Sequence, residues 1–458
     1  MNRTDRKENS LPESIPVPDY ANAAISVLEK AGFEAWLVGG CVRDALLGRP
    51  VHDVDIACSA PWTETQRAFE AAGYATHETG VKHGTLTVVV DNNAIEITTY
   101  RTEGAYSDGR HPDSVAPAET IEEDLARRDF TINAIAYHPK RGFRDPFDGL
   151  DDLRTGTIRT VGVPRDRFKE DSLRILRGCR FVAELGFSIE PDTLSAMQHG
   201  KTRMLSLPVE RVRAELDRLL LGEHARKALL ETPSVISAVL PEITAMVGFE
   251  QKSHYHMYDV LEHTAWVVQR TEPAVLNRWA AFLHDIGKPA AFFEREGVGH
   301  FHGHAYVSLI IGQGLLKRLG FSQKMQHDIL TLVELHDEII APTPKAVKRT
   351  LHEFDGDVDL FRALCDLKKA DALGHAKCCT SRFQLAEELL DVLDDVLDGG
   401  EAFSTPDLAV SGDDVMQAFD MEPGPKVGAL LSRALDAVID GDVGNEREVL
   451  IAYLESIR

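Results

Sequence analysis

The chain has 458 residues, with 73 Asp and Glu against 50 Lys and Arg, for a net charge of −23. At about 150 residues per domain this length predicts three or more units, and the charge excludes a uniformly basic nucleic-acid binder, because phosphate contacts need Lys and Arg. The polar start, residues 1–19, lacks the apolar core of a signal peptide, and no later apolar run is long enough for a bilayer. A loose N-terminal arm on a cytoplasmic protein with no membrane contact is therefore expected. The six cysteines (Cys41, Cys58, Cys179, Cys365, Cys378, Cys379) show no C-x-x-C spacing and read as reduced thiols.

Residues 21–31 follow a helical pattern and 35–38 form a short apolar strand; Gly39-Gly40 then turns the chain into a helix over 41–47. A strand over 51–57, a helix over 63–72 and strands over 85–90 and 95–100 follow. The polar stretch 102–120 is long for a structureless loop, which marks it as mobile or functional. A helix over 121–127 and a strand over 134–138 close this α/β region. After Asp152 strand signals fade. Helical patterns run over 169–185, 191–198, 209–221 and 223–230, and a second helical unit over 255–376 carries most of the histidines. A last helical segment runs to Arg458. Charge is uneven: between Arg154 and Arg180 lie eight basic and three acidic residues, whereas the chain after Gln384 is strongly acidic. A basic strip on an acidic body can hold RNA.

Asp53-Val54-Asp55 places two carboxylates on one face of a strand, since side chains at i and i+2 point the same way. Two like charges this close repel unless a cation lies between them, and hard oxygen ligands suit Mg²⁺. One or two such ions would neutralise a triphosphate and activate a hydroxyl for attack on its α-phosphorus. Gly39-Gly40 lies just upstream, where backbone N–H groups can approach phosphate, and Arg43 adds a charge-assisted donor. Glu96, on a later strand, is a candidate third carboxylate; an ordinary exposed strand residue is its plainer reading.

Leu37-Val38-Gly39-Gly40-Cys41-Val42-Arg43-Asp44 with Asp53-x-Asp55 resembles the head motif of the class II tRNA nucleotidyltransferase and bacterial poly(A) polymerase family, within the polymerase-β-like nucleotidyltransferases. Further segments agree in family order. Arg127-Arg128-Asp129-Phe130-Thr131-x-Asn133 is similar to the ribose and triphosphate segment, and Asp145-Pro146-x-x-Gly149-x-x-Asp152 to the hinge element. Glu170-Asp171-x-x-Arg174 is similar to the amino-acid template and Glu210-Arg211-x-x-x-Glu215 to the neck motif. The resemblance implies an α+β fold: a mixed-sheet nucleotidyltransferase head over 20–150, then an all-α neck (151–250), a further helical domain (251–380) and a tail (381–458). It implies that Gly39, Gly40, Arg43, Arg127, Arg128 and Asn133 bind nucleotide and that Asp129 meets the ribose.

Asp171, Arg174, Arg177 and Arg180 recur every three residues, one slanted stripe if the segment is a single helix. A solvated basic stripe is the bland account. The chemistry offers more, because cytosine and adenine each show an amino donor beside a ring-nitrogen acceptor, while uracil and guanine show the reverse. An Asp acceptor beside an Arg donor matches C and A and rejects U and G, by a factor on the order of 10⁴. Asp171 and Arg174 would read the base; Arg177 and Arg180 would hold phosphate or orient the reader. The resemblance implies the same roles, and it implies a flexible loop at Asp108-Gly109-Arg110-His111-Pro112-Asp113 that moves between C and A addition.

In the second half, His263, Leu283-His284-Asp285-Ile286-Gly287-Lys288 and Asp371 resemble the HD superfamily of metal phosphohydrolases, which implies the ligand set His263, His284, Asp285 and Asp371. His304 and His336 lie between and complete or extend it. Imidazole with carboxylate suits Mn²⁺, Ni²⁺ or another divalent transition metal. A phosphohydrolase acting on RNA ends and a structural remnant both fit. Pro423-Gly424-Pro425 opens a tail helix, as simple helix entry or as a tRNA phosphate contact.

The expected activity is addition of C, C and A from CTP and ATP to the tRNA 3′ end without a nucleic-acid template. Poly(A) or A-only addition is the alternative within the class. An HD phosphohydrolase with a nucleotide- or RNA-binding head and a pure RNA-binding regulator are rivals of other classes. Nothing in the sequence calls for an obligate protein partner.

Overall fold

The structure, a computed structural model, describes residues 11–80, 84–104, 115–375 and 380–458. The expected flexible-loop residues Asp108, Arg110 and Asp113, and Cys378 and Cys379, lie outside these. The chain divides into two compact units, Met1–Pro241 and Glu242–Arg458. The boundary falls inside the stretch expected as a neck.

The first unit is built on a mixed sheet of seven strands. In chain order the strands of this sheet, together with a separate two-stranded ladder formed by β6 and β7, are β1 (Ala35–Val38), β2 (Val54–Cys58), β3 (Ala75–Gly80), β4 (Thr85–Val90), β5 (Asn93–Thr99), β6 (Arg101–Glu103), β7 (Val115–Pro117), β8 (Ala136–His138) and β9 (Gly142–Arg144). The sheet order is β3-β4-β5-β2-β1-β8-β9, and β2 and β5 are the parallel pair at its centre. Alternation explains which face is buried: Leu86, Val88 and Val90 of β4 and Ile95 and Ile97 of β5 turn inward. The helix Asp19–Lys30 buries Ala21, Ala24, Ile25 and Leu28, spaced as one helical stripe. Ile15, inside the expected arm, is also buried.

Four of these strands differ from the expected ones. β3 and β9 were not expected, because their residues lack a continuous apolar signal. β6 and β7 pair as a short ladder at the base of the stretch expected to be structureless, so that stretch is anchored at both ends. Helices then dominate, as expected, with Leu173–Leu185 packed against Val209–Leu221.

The second unit is helical apart from a hairpin, Phe293–Arg295 with Val298–His300. Its last helices, Gly412–Phe419, Pro425–Asp440 and Arg447–Ile457, share one apolar cluster that includes Val415, Leu435 and Leu450. Pro425 is the first residue of its helix, the entry position proline favours. Among the described residues no helix is long and apolar enough to cross a membrane. Cys41, Cys58, Cys179 and Cys365 are buried free thiols.

Candidate active site

β2 brings the expected carboxylates together. Val54, Ile56 and Cys58 turn into the core, so Asp55 takes the opposite face, and Asp53 stands exposed just ahead of the strand. β5 runs parallel to β2 with Glu96 in register with Asp55, and burial of Ile95 and Ile97 leaves Glu96 exposed beside it. Burial pushes the Asp55 carboxyl up to about 6; Arg128 opposes that rise, and Glu96 and Asp53 add to it. Carboxylates crowded at the edge of solvent are a hard-oxygen donor set that fits a divalent cation.

The turn into the helix Gly40–Leu46 requires glycine. Gly39 has φ +78°, and a Cβ there would stand 2.9 Å from Arg128 Nη1 and 3.8 Å from Asp55 Oδ2. The missing side chain therefore admits the Arg128 guanidinium beside the backbone next to Asp55.

A buried carboxylate sets both arginines of the second motif. Arg127 donates from Nε and Nη2 to Asp124 Oδ1 at 3.0 and 2.8 Å, and Arg128 Nη2 donates to Asp124 Oδ2 at 3.2 Å. A second chain of contacts fixes Asp129. Arg43 donates from Nη1 to Asn133 Oδ1 at 2.7 Å, and Asn133 Nδ2 donates to Asp129 Oδ1 at 3.1 Å. Arg177 Nε donates to Asp129 Oδ2 at 2.8 Å. Burial pushes the Asp129 carboxyl up, but Arg177, Asn133 and Arg174 outweigh it and hold it well below the ordinary carboxylate range. Arg43, expected as a phosphate donor, also directs Nε and Nη2 at Asp44, both at 2.9 Å, so all three of its nitrogens have partners inside the fold.

The hinge-like motif supports this segment from below. Asp145 accepts from Gly149 N and Leu150 N at 2.7 and 2.8 Å, and Asp152 Oδ2 accepts from Thr131 Oγ1 at 2.6 Å. A Cβ on Gly149 would fall 2.2 Å from Thr131 O, so glycine allows that close packing.

The expected stripe of Asp171, Arg174, Arg177 and Arg180 needs correction. The helix is broken: one helix ends at Glu170, Asp171 is extended (φ −136°, ψ 108°), and the next helix starts at Leu173. Asp171 Oδ1 accepts from Leu173 N at 2.9 Å, and Arg211 Nη2 reaches Asp171 Oδ2 at 3.4 Å. Arg174 is buried, donating to Glu170 Oε2 at 2.6 Å, Arg167 O at 3.2 Å and Arg127 O at 3.0 Å. Arg180 is buried too, between Glu184 and Glu215, with Nε 2.6 Å from Glu215 Oε2. Its charge is matched inside the fold rather than presented to a phosphate.

In the second unit, His263, His284, Asp285 and Asp371 form one buried cluster. His263 Nε2 lies 3.0 Å from Asp371 Oδ1 and 3.3 Å from Asp285 Oδ2, and His284 Nε2 lies 3.2 Å from Asp285 Oδ2. Gly374 makes room, since a Cβ there would stand 2.8 Å from the His263 ring. Burial pulls the His284 imidazole down, but Asp285 and Asp371 override it and raise it to about 10. His304 and His336 reach the other oxygen of Asp285. The cluster opens into a cavity of about 470 Å³ lined by Tyr255, His256, Lys288, Phe301, His375 and Arg382, among others.

Comparison with known proteins sets these features in a family. A "Poly A polymerase head domain" model matches residues 35–159, a "Probable RNA and SrmB- binding site of polymerase A" model matches 186–246, and a "tRNA nucleotidyltransferase domain 2 putative" model matches 312–454. The CCA-adding enzyme of Streptococcus sanguinis is 35% identical over 450 residues, 96% of this chain and 98% of its own. That of Streptococcus gordonii is 36% identical over 442 residues, with the same shares. The chain belongs to the CCA-adding enzyme family. The crystal structure of the Bacillus stearothermophilus CCA-adding enzyme in complex with CTP superposes with a TM-score of 0.71 at 30% identity, covering 96% of each chain.

Membership makes the chain a nucleotidyltransferase of a class that uses divalent metal. The head-domain match contains Asp53, Asp55, Glu96 and the Arg127–Asn133 network. Asp171 and Arg174 fall between the first two matched stretches, and His263, His284 and Asp285 lie outside all three.

Sequence reading missed several groups. Asp124 precedes Arg127 and Arg128 by three and four residues, a helical spacing that signals their pairing. Lys288 follows Asp285 by three, with Nζ 2.7 Å from Asp285 Oδ2, and His375 follows Asp371 by four, with Nε2 3.2 Å from Asp371 Oδ1. His256 gives no comparable signal, because only folding brings it 3.3 Å from Lys288.

Proposed function

We propose that this chain adds C, C and A, from CTP and ATP, to the 3′ end of tRNA. The observation that carries this reading is the shared face of Asp53, Asp55 and Glu96 beside the Gly39 turn, in a chain whose full-length relatives are CCA-adding enzymes. Asp53 and Asp55, with Glu96 next to them, hold Mg²⁺. When bound, the ion neutralises the triphosphate and polarises the α-phosphate. Arg127 and Arg128, aimed by Asp124, hold the triphosphate against the turn at Gly39-Gly40. Asp129, kept ionised by Arg177 and Asn133, accepts a hydrogen bond from the ribose. Arg43 is a positioning residue acting through Asn133, and Arg180 braces the helix that carries Arg174 and Arg177. Asp171 and Arg174 read the Watson–Crick edge, one accepting from the exocyclic amino group and the other donating to the ring nitrogen.

The domains assigned to this work are a head over 20–150, a neck over 151–250, an HD domain over 251–380 and a tail over 381–458. The buried free thiols support a reducing, cytoplasmic setting. The test is Asp53→Ala with Asp55→Ala in one chain, offered tRNA and radiolabelled CTP. Loss of label from tRNA is expected, and label that still enters refutes the transferase assignment.

A second activity is supported by the buried His263, His284, Asp285 and Asp371 cluster at the foot of a cavity that also holds Lys288 and Arg382. We read it as a phosphohydrolase site for RNA 3′ phosphate or 2′,3′-cyclic phosphate ends, holding Mn²⁺, Ni²⁺ or a similar ion. Turnover of such ends by metal-loaded protein, lost on His284→Ala, is expected. No turnover, with thermal stability lowered by the same change, leaves a structural site instead.

A further inference from the structure

The second unit buries Trp279, Phe282 and Phe361 completely, yet it leaves Tyr255 50% and Phe293 43% exposed. Neither exposed ring stands alone. Tyr255 lies against His254, with ring centroids 4.0 Å apart. Phe293 lies 5.2 Å from His300 and 5.5 Å from His302, and those two imidazoles are 5.8 Å apart with planes 16° from parallel.

The hairpin explains why the second group stays outside. Its loop is Glu296-Gly297, both at positive φ (+54° and +80°), the tight turn that suits the twist of paired strands. Phe293 is opposite His300 and Arg295 is opposite Val298, so these four share one face. The rest of the hairpin is held by the chain just before His254. Gly299 N donates to Lys252 O at 2.9 Å, and Lys252 Nζ lies 2.6 Å from Glu294 Oε2. A Cβ on Gly299 would fall 2.3 Å from Gln251 O, so glycine permits that approach. The segment carrying Tyr255 and the hairpin carrying Phe293 are thus tied together. Tyr255 and His302, both exposed, line the rim of the cavity, and buried Lys288 lines its floor.

We propose that this rim is a stacking platform for the last base of a single-stranded RNA 3′ end, whose terminal phosphate then lies inside the cavity. This rests on the phosphohydrolase reading of that cavity and adds a requirement on its substrate, an unpaired terminal base. Three features favour RNA over a protein partner. Exposed, near-parallel rings offer the flat π-faces on which unpaired bases stack. Arg295 shares the ring face, and Lys288 and Arg382 line the cavity, cations gathered in a chain of net charge −23. The cavity volume of about 470 Å³ is in the range of small-molecule sites, about 300–1,000 Å³, which gives room for one nucleotide and not for a folded domain. A duplex end, whose bases already stack on one another, does not suit the platform.

The test uses the full chain and a trinucleotide with 2-aminopurine as its 3′-terminal base and a 3′-phosphate, whose fluorescence falls on stacking. Binding is read by stopped flow in saturating ATP, so that the difference between parent and variant reports the rim. Tyr255→Ala with Phe293→Ala should weaken binding by about 10-fold or more, as for loss of one stacked base, and Tyr255→Phe with Phe293→Tyr should restore it. An abasic competitor of the same length should displace the probe about 10-fold less well than a base-bearing one. CTP incorporation should be the same in all these chains. Equal affinity in the parent and the alanine variant, or equal competition by the abasic RNA, overturns the platform. Loss of self-association in the alanine variant with probe binding unchanged also overturns it and assigns the face to a second copy of the chain. Hydrolysis of p-nitrophenyl phosphate, which carries no base, reports the phosphohydrolase reading alone. No hydrolysis by metal-loaded parent, with the fluorescence change and its loss in the alanine variant intact, overturns that reading and keeps the platform.

Discussion

The chain contains two acidic clusters, and they solve the same electrostatic problem in opposite ways. In the head, Asp53 and Glu96 stand exposed on or beside sheet strands, next to Asp55. In the second unit the carboxylates of Asp285 and Asp371 are buried on helices and ringed by histidines. An open face of carboxylates suits a hard ion that keeps water and arrives with its nucleotide. A buried site of mixed nitrogen and oxygen suits a borderline ion that stays. The contrast extends to the residues behind each site. Salt-bridged arginines stand behind the head face, whereas backbone carbonyls fix the histidine rings.

Several measurements break or sharpen this comparison. The largest effect is expected at the base reader: Arg174→Ala should reduce discrimination of CTP and ATP against UTP and GTP, by up to about 10⁴-fold, in single-nucleotide kcat/KM. Metal retention in the second unit should be untouched by it. The reverse holds for His284→Ala, which should release the buried ion on desalting while CTP incorporation is unchanged. If both changes reduce both readouts, the two sites are not separate chemistries. A smaller effect is expected for Asp124→Asn, which removes the charge that Arg127 and Arg128 share. A fall of about 10–100-fold in kcat/KM for CTP is expected, as for loss of a group that orients a ligand. No change would remove the triphosphate role from both arginines.

The smallest effect is a change of slope with pH. Asp129 is held well below the usual carboxylate value of about 3.9 in the folded chain. A lowered folded pKa contributes stability that is full above the unfolded value and is lost as pH falls toward the folded one. Asp129→Asn should therefore be less stable than the parent near neutrality, and the gap should narrow below about pH 4 in thermal melts. A gap that widens with acid contradicts the Arg177–Asp129 pairing.

Much of the head was legible because its chemistry sits on local patterns. Asp53-x-Asp55 shares a face by strand geometry alone, and the Gly39 turn is marked by its own sequence. Glu96 was harder, since its place beside Asp55 depends on parallel pairing of strands some 40 residues apart. The break at Asp171 was hidden because Arg174, Arg177 and Arg180 keep a helical spacing that extends back through it. β3 was missed because Thr76, His77, Glu78 and Thr79 give an edge strand no apolar alternation. In the second unit the His284-Asp285 pair was visible, whereas His256 and the division of Asp285 between two sets of histidines depend on packing.

The central claim is tested most directly by the products the chain makes. tRNA ending before CC, tRNA ending in CC, and an unrelated RNA should each be offered every nucleoside triphosphate separately and in mixture. The account predicts C, C and A on the first, A alone on the second, nothing on the third, and arrest after A. Unbounded A tails, or addition to the unrelated RNA, would contradict it.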